Sequence, residues 1–219
     1  MTAVRPLRQW WWLVLLVLPM VAPAGQPVSR IPDTDAFDAA LRTFAARARQ
    51  PGVRVMKFDP AHTAFGFELR TRWGQRVQGQ FPRYEGVALL LPDGRRQVRI
   101  QLAAAAVQVA GSARYTAMAR GETFFDARHY PHIEFVSSLH DDVLTRDGGP
   151  LEGQLRLHGV TRAETFVVAP ATCERVGEDC DALASGSVAR GDYGMGGMRM
   201  VLADSVRFTM QVRLREAPP

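Results

Sequence analysis

Asparagine is absent from this 219-residue chain and lysine occurs once, at Lys57, so its cationic charge rests on arginine. The formal net charge is +5 and the isoelectric point lies near 9.8. The arginines are scattered along the chain, whereas a nucleic-acid surface wants a clustered basic face, so nucleic acid is set aside as a partner. No Gly-x-Ser-x-Gly elbow, dinucleotide fingerprint or phosphate loop is present, and the chain is read as a non-enzyme with no catalytic residue. Of the five histidines, His62, His129, His132, His140 and His158, only His129 and His132 are close in sequence. No Asp-rich, Cys-rich or Glu-x-x-His partner stands near them, so no metal site is expected. Asp141-Asp142 sit among turn residues and read as solvated.

A long hydrophobic run is missing as well. The longest, Trp10 to Leu18, falls well short of the roughly 20 residues that cross a bilayer. It follows Arg5 and Arg8 and precedes Pro19 and Ala22-Pro23-Ala24, the order of a secretory signal peptide over residues 1–24. No arginine pair marks the twin-arginine route, and no cysteine follows the cleavage signal to carry a lipid anchor. The expectation is a soluble protein of the periplasm beginning at Gly25. Export sets the reading of the two cysteines. Six residues separate Cys173 from Cys180, and in an oxidising compartment such a pair reads as a disulfide stapling a loop.

Residues 25–52 form a separate piece. Asp33, Thr34 and Asp35 suit a helix N-terminus, and Phe37, Leu41, Phe44, Ala45 and Ala48 recur at helical spacing. Pro51-Gly52 ends it, which predicts an amphipathic helix over 33–50. From Val53 onward the period becomes two. Phe65, Phe67 and Leu69 alternate with polar or small residues, as do Val98, Ile100 and Leu102. Leu151, Gly153, Leu155 and Leu157 do the same, and so do Val206, Phe208, Met210, Val212 and Leu214. Each is a strand with one buried and one wet face. Pro92-Asp93-Gly94 and Asp147-Gly148-Gly149 supply turns. Ser112 caps a short helix ending near Gly121, followed by Phe124-Phe125. Gly191, Gly194, Gly196 and Gly197 read as a turn or bulge, and Arg190 with Asp192 as a same-face ion pair or network. About eight strands with one helical insertion predict a sandwich or barrel. A barrel of eight strands is either filled by its side chains or holds one small ligand, and alternation fits both.

Several segments, in order, resemble the YceI-like family of periplasmic, lipocalin-like barrels that bind polyisoprenoid and related lipids. They are Phe58-Asp59-Pro60-Ala61-His62-Thr63, Val77-Gln78-Gly79-Gln80-Phe81, Phe124-Phe125-Asp126 with Tyr130-Pro131-His132-Ile133-Glu134-Phe135, Gly153-Gln154-Leu155-Arg156-Leu157-His158-Gly159-Val160-Thr161, and Arg190-Gly191-Asp192-Tyr193-Gly194-Met195. Three features depart from the pattern: Ser112-Ala113-Arg114-Tyr115 lacks an acidic-x-His-Leu character, residues 25–52 are an addition, and the cysteine pair is particular to this chain.

The resemblance implies an all-β fold, a single antiparallel eight-stranded lipocalin-like barrel over residues 53–216 with an elongated apolar cavity. Lining it would be Phe65, Phe67, Leu69, Val77, Phe81, Val98, Ile100, Leu102, Phe124, Phe125, Phe135, Leu155, Leu157, Phe208 and Met210. The implied ligand is an isoprenoid lipid or quinone and no other cofactor. Transient contact with a membrane or membrane protein fits such a carrier, and a homodimer is compatible with it. A quinone- or metal-dependent redox accessory protein and a filled-core stress-response module stand as the alternatives.

Overall fold

The computed structural model describes residues 34–216; the expected leader, its cleavage site and residues 25–33 lie outside these. Helix α1 runs Thr34–Arg47. It ends before residue 50 because Pro51 disfavours helical backbone at Gln50, and the last turn tightens, with the Gln50 amide donating to the Arg47 carbonyl at 2.9 Å.

Thirteen strand segments follow: β1 (Arg54–Phe58), β2 (Ala64–Thr71), β3 (Arg76–Gln80), β4 (Tyr84–Leu90), β5 (Arg95–Ala103), β6 (Gln108–Val109), β7 (His132–Ser137), β8 (His140–Asp141), β9 (Gly149–Leu157), β10 (Val160–Val168), β11 (Ala182–Ala189), β12 (Leu202–Val212) and β13 (Leu214–Glu216). Helices α2 (Ala113–Arg120) and α3 (Asp142–Asp147) interrupt them. The expected cap of α2 is present: the Ser112 hydroxyl accepts from the Tyr115 amide at 3.1 Å. Asp142 starts α3 instead of lying in an open turn. Its carboxylate suits the positive helix end and Arg146 the negative one.

Eleven of the thirteen segments resolve into eight long strands, while the two-residue β6 and β8 pair beside β3 and β5. β1 and β2 are two halves of one strand bent at residues 59–63, β3 and β4 of one bent at 81–83, and β12 and β13 of one bent at Arg213. The first bend is held to the last: the Asp59 amide donates to the Arg213 carbonyl at 2.8 Å, and the Arg213 amide donates to the Thr63 hydroxyl at 3.1 Å. Phe67 pairs with Phe208 and Phe58 with Leu214, so the first and last long strands are neighbours. With β5, β7, β9, β10 and β11 between, every pairing is antiparallel and the sheet closes. This ring is the expected eight-stranded barrel. Its thinnest seam lies between β10 and β11, which pair only at Val167–Ser185 and Val168–Ala184. Past that point side chains bridge the gap: the Tyr193 hydroxyl donates to Glu164 at 2.6 Å, and Arg162 faces Asp192 at 3.6 Å.

The apolar face of each strand points inward, as period-two burial requires. Two glycines make room for rings. A Cβ at Gly79 would lie 2.3 Å from the Phe67 ring, and one at Gly153 would lie 2.5 Å from the Phe135 ring. Outside the wall, α1 builds a second small core. Phe37 and Phe44 bury Leu89 and Val136, which a bare barrel would expose. The Arg156 guanidinium stacks 4.2 Å over the Phe37 ring and reaches Asp38 at 2.5 Å. Of the expected stripe, Ala45 faces solvent, and Ala40 packs against the barrel in its stead. Between β10 and β11, Cys173 and Cys180 are disulfide-bonded with Cα atoms 6.1 Å apart.

Candidate functional site

All fifteen expected lining residues meet inside the barrel. Twelve are buried, while Val77, Val98 and Met210 pack against them half-buried. The interior they form is largely filled. Near the β2–β3 end, the Phe67 ring lies 5.7 Å from Phe81, 5.9 Å from Phe124 and 5.4 Å from Phe125, centroid to centroid. Phe135 and Phe166 meet edge to face at 5.0 Å further along. Between Phe65, Ile100, Leu155 and Phe208 only about 20 Å³ is free.

A larger cavity of about 90 Å³ opens at one end. Phe67, Leu69, Val77 and Val109 form its floor, and Tyr115, Met118 and Ala119 of α2 form one side. Trp73, from the β2–β3 turn, Met198 and Val201, from the loop before β12, and Leu202, the first residue of β12, complete the mouth. Strand alternation reveals the floor, but not the mouth residues, which come from a turn, a helix, a loop and the start of a strand. An unexplained tryptophan in a Gly-containing turn was the one signal for them. Pockets that take drug-sized ligands run to about 300–1,000 Å³, so an apolar chain enters here only if rings move.

Phe124 and Phe125 come from a loop and not from a strand. A tight turn presents them, with the Phe125 amide donating to the Ala119 carbonyl at 3.1 Å and Asp126 at φ +43°. That left-handed backbone is tolerated by aspartate, and the Asp126 carboxylate is in turn held by His129 at 2.8 Å. His129 therefore supports the turn. Among the described residues no group of three or more metal-ligating side chains gathers.

The buried charge of the site is Arg190, 1% exposed. The sequence pairs it with Asp192, but the structure separates them: Asp192 faces Arg162, while Arg190 lies beside the core. The Arg190 guanidinium donates to the carbonyls of Met195 (2.7 Å), Gly197 and Ala203 (3.3 Å) and sits 5.4 Å over the Phe124 ring. Burial lowers its pKa from the usual arginine value, and the nearby Asp204 opposes the shift. Carbonyl dipoles stand in for a carboxylate, and the loop 195–203 is tied down by one side chain. Tyr193, held by Glu164, is pushed well above the usual phenol range, first by burial and then by that bond. His62 and His158 take no part in the cavity. His62 bonds Asp59 at 2.9 Å and lowers its carboxyl pKa, while the His158 ring packs 4.8 Å from Tyr130.

A model of the YceI-like domain matches residues 56–214. No curated protein sequence matches the chain. Among solved structures, BcnA of Burkholderia cenocepacia superposes with a TM-score of 0.60 at 17% identity, covering 72% of this chain and 99% of that one. A polyisoprenoid binding domain from Saccharophagus degradans, implicated in plant cell wall breakdown, gives 0.54 at 12% identity over 76% and 99%. A YCEI protein of Campylobacter jejuni gives 0.51 at 18% over 64% and 85%.

Proposed function

The chain belongs to the YceI-like family, and from that premise we propose that it is a non-enzymatic carrier for the apolar chain of an isoprenoid lipid or quinone. The observation that carries the reading is the apolar lining of the barrel. It runs from Phe65 and Met210 to the open cavity at Leu69, Val77 and Leu202, where Thr71 and Thr123 add two hydroxyls to the apolar wall. A tail of a few tens of carbons cannot stay free in water, and burying it at about −0.3 kcal/mol per heavy atom gives on the order of −10 kcal/mol. The tail enters beside α2 and displaces Phe124 and Phe125, whose rings are the removable part of the core. The sequence signals that read as a leader support carriage in the periplasm, and the disulfide suits that compartment.

The small free volume favours one alternative, a filled-core interaction module that takes up no lipid. Ala119 separates the two. Its side chain faces the 90 Å³ cavity, so Ala119→Leu fills the entrance with a modest overpacking cost of about 1–3 kcal/mol. A radiolabelled polyprenol co-eluting with wild type, and at least tenfold less with folded Ala119→Leu, supports the carrier. Absence of co-elution with wild type overturns it.

A further inference from the structure

Three segments that lie far apart in sequence meet at the cavity mouth. Trp73 is 67% exposed there and Tyr115 on α2 is exposed as well, while Met200, between the mouth residues Met198 and Val201 in sequence, is 89% exposed. Arg72 binds two of the segments together: its amide donates to the Val201 carbonyl at 2.8 Å and its Nε to the Arg199 carbonyl at 3.1 Å.

The charge around these apolar side chains is one-sided. Residues 70–76, 112–123 and 196–204 carry six arginines against Glu122 and Asp204, and Glu68 faces Arg70 at 3.8 Å and Arg76 at 3.9 Å, which leaves a local charge of +3 in a chain whose total is +5. Among the described residues, Arg72, Arg114 and Arg199 have no carboxylate within ion-pair distance. The fold thus gathers at one end an arginine excess that is spread through the sequence.

The geometry points to this end as a docking face for an anionic bilayer, with Trp73, Tyr115 and Met200 entering the interface and the arginines meeting lipid phosphates. Tryptophan and tyrosine settle at the headgroup level because one side of each ring system is apolar and the other carries a polar N–H or O–H. Arginine pairs with phosphate through two parallel hydrogen bonds. Exposed methionine adapts to irregular apolar surroundings. The face frames the entrance of the cavity, so docking would bring the mouth against the membrane in which a long-chain lipid resides. The inference rests on the carrier reading for its purpose, but the docking itself does not require a bound lipid.

The test uses the chain from Gly25 to Pro219, which contains the closed barrel and α1 and in which Trp73 is the only tryptophan. It is mixed with vesicles of phosphatidylcholine alone, or of equal parts phosphatidylcholine and phosphatidylglycerol. Wild type should sediment with the mixed vesicles and shift its Trp73 emission to the blue, with little binding to phosphatidylcholine alone. Removing an arginine costs about fivefold in partitioning, so Arg72→Gln with Arg199→Gln should lose roughly twenty- to thirtyfold. Trp73→Ser should weaken sedimentation too. Leu183→Ser, an exposed apolar residue on the β11 wall, should change nothing. Equal binding to both vesicle types, or undiminished binding by the folded arginine and tryptophan variants, overturns the docking face. Polyprenol co-elution, measured without vesicles, reports separately on the carrier reading, so failure of one is not mistaken for failure of the other.

Discussion

Phe67 and Phe125 meet edge to face with ring centroids 5.4 Å apart, one ring on a strand and the other on a loop. The strand residue is fixed by the ladders on both of its sides, while the loop residue is held by a turn of a few hydrogen bonds. The barrel is therefore closed from within by a contact between a strand and a loop. Edge-to-face pairs contribute about 0.5–1.5 kcal/mol beyond burial, small enough for an incoming chain to replace.

Phe124→Ala removes the ring next to the cavity and enlarges it. Deleting a buried phenylalanine costs about 3–5 kcal/mol, readable in a urea unfolding curve. The carrier account expects this variant, once folded, to take up polyprenol faster than wild type. A filled-core protein would show the stability loss and no uptake.

The Cys173–Cys180 bridge closes a short loop that is also tied to the barrel, through Arg96 to the Val176 carbonyl at 2.8 Å and Arg54 to Glu178 at 3.1 Å. The chain-entropy model assigns such a loop about 2–3 kcal/mol. Replacing both cysteines with serine should lower the melting temperature by roughly 5–10 °C and leave the fold intact. A variant that cannot fold would show that the bridge organises the barrel and does more than staple a loop.

Phe37 is 0% exposed, under the Arg156 guanidinium. Phe37→Ala should detach α1 without opening the barrel, because the second core it anchors is separate from the interior one. Hydrogen exchange should lose protection over residues 34–47 while β9 and β10 keep theirs. Loss of protection in the strands would show that the helix is integral to the barrel.

His140 has its pKa lowered below the ordinary 6.5, chiefly by burial, with Arg96 adding to the shift and the Ser138 carbonyl opposing it. A depressed folded value means that the unfolded chain binds the proton first as pH falls. Its contribution is thus intact above 6.5 and is lost below it. Denaturant midpoints should fall from the neutral to the acid side of 6.5, and less so in His140→Gln. An equal fall in both proteins would assign the effect to other groups.

The buried faces were legible in the sequence because period-two alternation fixes which side of each strand is buried, whereas alternation fits a sandwich as well as a barrel and the resemblance to the YceI-like family implied the barrel. Phe65, Phe67, Leu69 and Phe208 needed nothing more. The mouth was not legible, since Trp73, Tyr115 and Met198 become neighbours only when the strands close. Arg190 misled for a related reason: spacing paired it with Asp192, but backbone carbonyls of the loop it holds took the place of a carboxylate. Alternation was also silent on filling, because a packed core and a lipid tunnel want the same inward side chains, and the Phe67–Phe125 contact decides which of them this molecule rests in.

The central claim is that an isoprenoid chain occupies this interior in the cell. Mass spectrometry of an organic extract, from folded protein purified out of its own host, tests it most directly. The account predicts an isoprenoid lipid or quinone close to one per chain. An extract with no such lipid, from protein that is folded and disulfide-bonded, would contradict it.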